Sequence, residues 1–375
     1  MVTLSTVYRK AVPLILLVLA AAAMPLFPAN AQGGTGVYNP EVCAKDISGA
    51  ALSPACEAMI KAFPTPPNTK KIQVDSATLS LYNFWKVGPE PTATFDAPGG
   101  NVIGEIPAGF NWVNIIDESI EGWLKTQDGR WVSKEKAQPA SPSYFTGVEI
   151  SDGLKHPFAF ILDKSNVYVS SVPGGKPDKT TGRFMKRYEL VNIFSVAVDA
   201  EGWRWYMIGP NQWVKQTFVG KVIKAERPAG ISGRWVAIDL YEQVLVAYED
   251  DTPVFATLVS TGVPKFDTPE GVYKVWARLE RDGMSGATGA PQAYALQSVP
   301  WVMYFNNSIS LHGTYWHDVF GYRTSHGCVN VTISDARWLY QWFKAAPPDK
   351  ETGEITNHVL VYSSGTYGSG VIRGQ

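Results

Sequence analysis

Hydrophobic residues alternate with polar ones in short runs along most of the chain, and Gly and Pro cut the runs apart. A β-rich stretch is predicted over 72–136 and another over 144–223. From Arg234 onward the period is again two, which predicts strands over 235–240, 244–248, 254–260 and 272–279. Residues 283–291 read as a Gly-rich loop, and Gly283, Gly286 and Gly289 would let it close over a neighbouring site as a lid. Helical spacing occurs late: Thr332 and Asp335 form a capping-box start, and Ala336, Leu339, Tyr340 and Phe343 follow at the period of one helix face.

The β-rich stretches repeat. Ala97-Pro98-Gly99-Gly100, Val113-Asn114-Ile115, Glu121-Gly122-Trp123 and Trp131-Val132 recur as Val172-Pro173-Gly174-Gly175, Val191-Asn192-Ile193, Glu201-Gly202-Trp203 and Trp213-Val214. Both units resemble bacterial SH3-like modules, and the resemblance implies two small β-barrels. Such modules either hold wall glycan or peptide, or serve as spacers whose Trp residues fill small cores. Linkers over 137–143 and 224–230 set the boundaries.

The N-terminus reads as an export signal over 1–31. Arg9 and Lys10 precede an apolar run over 11–27, and Ala29-Asn30-Ala31 supplies a cleavage site before Gln32. Pro13 and Pro25 interrupt the run, which is short against the roughly 20 residues of a membrane helix, so no span is expected after cleavage; an uncleaved anchor is the competing reading. Of 33 basic residues, loss of these two leaves 31 against 34 acidic ones. That balance offers no field for a polyanion and excludes nucleic acid as a partner.

Three cysteines in an exported chain allow three single pairings. Spacing favours Cys43 with Cys56, because Asn39-Pro40 and Ser53-Pro54 each read as an N-cap with Pro at the first helical position. A disulfide-stapled helical segment is thus expected over 32–70, and Cys328 is left free.

Around that thiol stands HGTYWHDVFGYRTSHGCVN, from His312 to Asn330, with three of the chain's five histidines. A thiol with a pKa of about 8.5 is mostly protonated at neutral pH, so a nucleophilic cysteine needs an adjacent imidazole, and His312 and His326 are the candidates. Gly327 and Gly313 remove side chains where backbone must approach the reacting atoms. His317 lines the loop, and His156 and His358 are read as structural. Zinc ligation by His312, His317, His326 and Cys328 is the competing chemistry, and the tight pairings of zinc sites are missing.

Ser325-His326-Gly327-Cys328-Val329-Asn330 with His312-Gly313-Thr314 upstream, and Thr268-Pro269-Glu270-Gly271 before a strand, resemble the signature of L,D-transpeptidase (YkuD-type) catalytic domains over 230–364. The resemblance implies a β-sandwich with a short helix, hence a mainly β chain overall with a Gly-rich tail over 365–375. It implies Cys328 as acylated nucleophile, His312 as base oriented by the carbonyl of Gly313, and His326 supporting the thiolate or oxyanion. It places Asn330, Ser325, Arg323, Trp316 and Tyr304 on the donor peptide. The partners implied are peptidoglycan stem peptides, outside the cytoplasm, in a transfer that forms 3-3 cross-links and needs no cofactor or metal. An L,D-carboxypeptidase or other wall cysteine peptidase, and a non-enzymatic wall-binding protein, are the alternatives.

Overall fold

A computed structural model describes residues 40–43, 46, 51–66, 68–151, 153–154, 156–162, 167–180, 182–286 and 293–365. The expected signal over 1–31, residues 287–291 of the expected lid and 366–375 of the tail lie outside them. Among the described residues no helix is long and apolar enough to cross a membrane.

A 3-10 turn, Pro40–Cys43, and helix α1 (Pro54–Ala62) open the described chain. Ser53 caps α1 by accepting from the Cys56 N–H, with Pro54 at the first position, as the Ser-Pro pair predicts. Cys43 and Cys56 are joined by a disulfide. Strand β1 (Thr69–Lys71) and helix α2 (Ser76–Leu81) lead into the first repeat unit.

The first unit holds β2 (Phe84–Val87), β3 (Thr92–Phe95), β4 (Val102–Ile106), β5 (Phe110–Asp117), β6 (Trp123–Thr126), β7 (Trp131–Ser133) and β8 (Ala137–Pro139). After β9 (Val148–Ile150), the second holds β10 (Phe158–Ile161), β11 (Val167–Tyr168), β12 (Phe184–Met185), β13 (Leu190–Asn192), β14 (Ser195–Val198), β15 (Arg204–Gly209), β16 (Gln212–Lys215) and β17 (Val219–Val222). Pairing repeats with the sequence. The opening strand of each unit pairs with its closing one, β2 with β8 and β10 with β17, and a 3-10 turn precedes each closing strand. The expected barrels, however, are not closed. The first unit's hydrogen-bonded path runs β8-β2-β5-β6-β7-β3-β4 and stays open, because the first half of β5 spends its second edge on a strand of the last domain.

That last domain contributes β18 (Arg234–Asp239), β19 (Val244–Glu249), β20 (Thr252–Leu258), β21 (Gly271–Lys274), β22 (Ala277–Gly286), β23 (Tyr294–Asn306), β24 (Ile309–Thr314), β25 (Val329–Thr332), helix α3 (Ile333–Lys344) and β26 (His358–Tyr362). The single strand predicted over 272–279 is two, β21 and the start of β22. Gly283–Gly286, predicted as the start of a lid loop, instead belong to β22 and pair with β23 around a bulge between Asp282 and Met284. Glycine in a strand marks such bulges as readily as it marks a loop, which is why the sequence misleads here.

One sheet runs β1-β9-β20-β19-β18-β26-β21. Its Val236, Ile238, Leu245 and Phe255 face β23 to β25 and α3, sharing a core with Met303, Leu311, Val331 and Leu339. Its Trp235, Val246, Tyr248 and Leu258 face the opposite way, onto Phe145, Phe158, Phe160 and Val222. With both faces covered, β18 and β19 are buried almost without alternation. Each of Phe158 and Phe160 contributes roughly 1.5–3 kcal/mol by that burial, so the second unit is part of the fold and not a tethered appendage. Thr332 caps α3 by accepting from the Asp335 N–H, and the Asp335 carboxylate accepts from Gly147 N–H and the Thr257 hydroxyl.

The stapled hairpin covers the second unit. Cys43, Cys56, Leu52 and Met59 pack on Phe194, Trp203, Trp205 and Trp213, so these Trp residues fill a core. Thiol titration of the unreduced, folded protein is expected to give one reactive group, at Cys328. Replacing Cys43 and Cys56 together by Ala is expected to lower the unfolding free energy in denaturant by about 3 kcal/mol. A second reactive thiol in the unreduced protein would contradict the staple.

Candidate active site

Strands β24 and β25 run parallel, in a register that pairs Leu311 with Val329, His312 with Asn330 and Gly313 with Val331. Alternation then puts Ser310, His312, Cys328 and Asn330 on one face, since Cys328 directly precedes β25 opposite Ser310. The Ser310 hydroxyl lies 3.8 Å from the half-buried sulfur, and the Ser308 carbonyl lies 3.9 Å from it on another side.

His312 is 2 % exposed. Its Nδ1 lies 3.2 Å from the carbonyl of Gly313, which can only accept, so Nδ1 carries the proton and Nε2 keeps the lone pair. Burial pushes the ring's pKa down to about 4, against the opposing pull of that carbonyl. Burial also pushes the Cys328 thiol up, while the backbone and hydroxyl of Ser310 pull it down. The resting pair is therefore a thiol and a neutral imidazole.

The turn before the thiol is held by its own side chains. Gly327 sits at φ +117, a backbone that L side chains rarely adopt. Its N–H donates to Ser325 Oγ at 3.1 Å, so this donor is engaged within the turn and not directed at an oxyanion. Ser325 Oγ in turn donates to the Cys328 carbonyl, and Thr268 Oγ1 donates to the Gly327 carbonyl at 2.8 Å while accepting from Gly262. Gly313 is glycine for a packing reason: a Cβ there would lie 3.0–3.2 Å from Pro300 and the Ile333 backbone.

The other expected contacts divide. His326 is largely exposed and lies between the rings of Phe266 and Tyr294, at 4.6 and 5.5 Å, where partial desolvation lowers its pKa. Trp316 lies 5.6 Å from the His312 ring. Tyr304, across from Ser310, donates to Asp282 at 2.8 Å and stacks on Trp276. Buried Asn330 holds Nδ2 3.0 Å from His317 Nε2, and its Oδ1 has no partner. Ser325 is spent on the turn, and Arg323 pairs with Asp267 at 3.2 Å. Among the described residues, no three His, Cys, Asp or Glu side chains converge as a metal site would require.

Sequence reasoning missed Ser310, Thr268 and Tyr294. Ser310 was within reach, being two residues before His312 on one strand. Thr268 stood in a motif already singled out, but nothing in that motif tied it to Gly327. For Tyr294 the signal is only structural: a Cβ on Gly286 would lie 2.6 Å from its ring, so that glycine makes room for the tyrosine.

No curated protein matches the chain. Solved structures that resemble it include an L,D-transpeptidase from Stackebrandtia nassauensis (27% identity, 38% of this chain and 60% of that one, TM-score 0.28). Another is an L,D-transpeptidase from Xylanimonas cellulosilytica (28%, 37% and 64%, TM-score 0.26). The catalytic domain of the E. faecium L,D-transpeptidase is matched over its full length (24%, 36% and 100%, TM-score 0.30). The chain thus spans less than two thirds of the first two. Residues 233–359, which hold His312, His326 and Cys328, match the sequence model of the YkuD family, the L,D-transpeptidase catalytic domain.

Proposed function

We propose that this chain is a peptidoglycan L,D-transpeptidase acting outside the cytoplasm through a Cys328 thioester. The observation that carries the reading is the shared strand face of Cys328 and His312, with Nδ1 of His312 tied to Gly313 and Nε2 left as the ring's acceptor. The family match over 233–359 supports it, and the Cys43–Cys56 disulfide fits an oxidising compartment.

In the donor half-reaction Cys328 gives its proton to Nε2 of His312 as sulfur attacks the carbonyl carbon of the third residue of a stem tetrapeptide. The C–N bond to the terminal D-alanine breaks, and the leaving amine takes the proton from His312. In the acceptor half-reaction an amine on the third residue of a neighbouring stem attacks the thioester carbonyl. His312 takes the amine's proton, a C–N bond replaces the C–S bond, and the thiolate is reprotonated, which leaves a 3-3 cross-link. The Ser310 hydroxyl supports the sulfur as charge develops on it, and the walls of Tyr294, Tyr304 and Trp316 flank the donor. We read the two repeat units as SH3-like modules, on their matching strand order and the 3-10 turn before each closing strand.

Incubation with a defined tetrapeptide is expected to add to the intact mass an acyl group lacking D-alanine, located at Cys328, and a carbapenem is expected to acylate the same sulfur. Cys328→Ser is expected to abolish both while keeping the unfolding midpoint, because the same imidazole cannot activate a hydroxyl of far higher pKa. Turnover by that variant at the wild-type rate would refute the nucleophile.

The acid limb of kcat/KM for donor acylation is expected near pH 4, where the buried His312 ring gains a proton, and not near 6.5. The sign for stability follows from the same shift. Between about 4 and 6.5 the unfolded chain binds a proton that the folded ring refuses, so His312 costs stability as pH falls through that window, about 3 kcal/mol in all. His312→Gln is expected to remove that loss: relative to wild type it gains about this much unfolding free energy between pH 7 and pH 4, measured in urea. An unchanged difference across that range would show that the ring is not held neutral by burial.

A further inference from the structure

The segment 315–328 that joins β24 to β25 carries Trp316, His317, the Ser325 turn and Cys328, and two contacts from outside the catalytic domain bear on it. On one side Phe84 of β2 stacks on Tyr315, with ring centroids 3.6 Å apart and planes 4° from parallel, and Trp112 of β5 meets the same ring edge-on at 5.9 Å. Tyr315 is fully buried and donates through its hydroxyl to the Gln297 carbonyl. Its ring lies edge-on to Trp316 at 4.9 Å, and Trp316 lies against His312.

On the other side Asp318 is gripped by the second unit and the linker before it. Arg187 Nη1 reaches Asp318 Oδ2 at 2.7 Å, Tyr188 donates to Oδ1 at 2.9 Å, and Ser143 donates to the same oxygen at 2.5 Å. A further Arg187 nitrogen donates to the Asp318 carbonyl. Tyr188 holds a left-handed φ of +63, a conformation that a bulky residue keeps only where its surroundings fix it. Asp318 follows His317, whose ring meets Asn330 and Thr324.

We infer that the two N-terminal β units set the catalytic geometry: Phe84 of the first and Arg187 of the second are positioning residues that hold segment 315–328, and through it His312 and Cys328, in register. Neither residue touches the reacting atoms. The first unit acts through Tyr315 and Trp316 on the base, and the second acts through Asp318 and His317 on Asn330, beside the thiol. A spacer would need none of these contacts, since a flexible linker would connect the domains as well. The inference rests on the proposed acyl transfer for its substrate, but not for its geometry.

Two variants of the full chain test it, Phe84→Leu, which keeps apolar bulk without a stacking face, and Arg187→Met, which keeps length without the guanidinium. Each is assayed well below its own unfolding midpoint, for tetrapeptide turnover and for the rate of Cys328 alkylation by iodoacetamide. A misplacement of about 1 Å can cost roughly a hundredfold in rate, so each variant is expected to lose ten- to a hundredfold in kcat with KM changed less than threefold. Alkylation is expected to slow in parallel, and Arg187→Lys to recover part of what Arg187→Met loses. If both variants unfold earlier yet keep wild-type kcat, KM and alkylation rate, their role is structural only and the inference fails. If Phe84→Leu does not fold, Arg187→Met, at a partly exposed ion pair, decides. If the wild type turns over no tetrapeptide, the proposed function fails alone, because the alkylation rates still report whether the two units position the thiol.

Discussion

Strands β24 and β25 run parallel, and parallel strands cannot be joined by a tight turn. The chain must leave the sheet after Thr314, cross over through 315–328 and return at Val329. That excursion is the origin of the site. The parallel register places His312 and Cys328 on one face and gives the crossover the Trp, His, Ser and Gly residues that line it. A crossover without a helix has few backbone hydrogen bonds of its own, so it must be held from outside. The bridge of Gly262 with Ser325, the Thr268 bond to Gly327 and the grips on Tyr315 and Asp318 supply that hold.

The same requirement explains why the repeat units are fused into the fold. Residues Phe110 to Trp112 of β5 pair in parallel with Tyr294 to Leu296 of β23, so the first unit extends the strand that carries two tyrosines of the site. Ser298 departs to φ +52 where β23 exchanges β5 for β24, and its hydroxyl is tied to Gln127 of the first unit. The second unit covers the far face of the seven-stranded sheet, and burial on both faces turns that sheet into a rigid plate between two cores. Precision at the thiol is thus drawn from packing well away from it.

Much of this was legible in the sequence wherever a local rule and the tertiary fold agree. The His312 to Asn330 segment stood out by its histidines around the one cysteine outside the staple, the α3 start by its cap, the staple by two Ser/Asn-Pro pairs, and the recurring strands by their turns. What stayed hidden depends on partners distant in sequence. Nothing in β5 signals that its free edge belongs to β23, so closed barrels were the natural expectation. Gly283 and Gly286 read as a loop because a bulge and a close ring approach leave the same mark on a sequence as a flexible connector. The crossover showed its candidate site residues but not the contacts that hold it, since Phe84 and Arg187 lie more than a hundred residues upstream.

Burial of His312 has a consequence for acid that a second buried group opposes. His312 loses stability for the protein as pH falls toward 4, because the folded ring refuses a proton that the unfolded chain accepts. Asp335, on the first turn of the helix that follows the cysteine strand, is also fully buried, and burial raises its pKa to about 6 against the pull of Thr257 and Gly147. For a carboxyl raised above its ordinary 3.8 the folded state binds the proton first, so stability rises as pH falls from about 6 to 3.8. Each shift corresponds to about 3 kcal/mol, with opposite sign over nearly the same window. The buried carboxyl of Asp335, on the helix that follows the cysteine strand, therefore titrates in the direction that offsets the buried imidazole of His312.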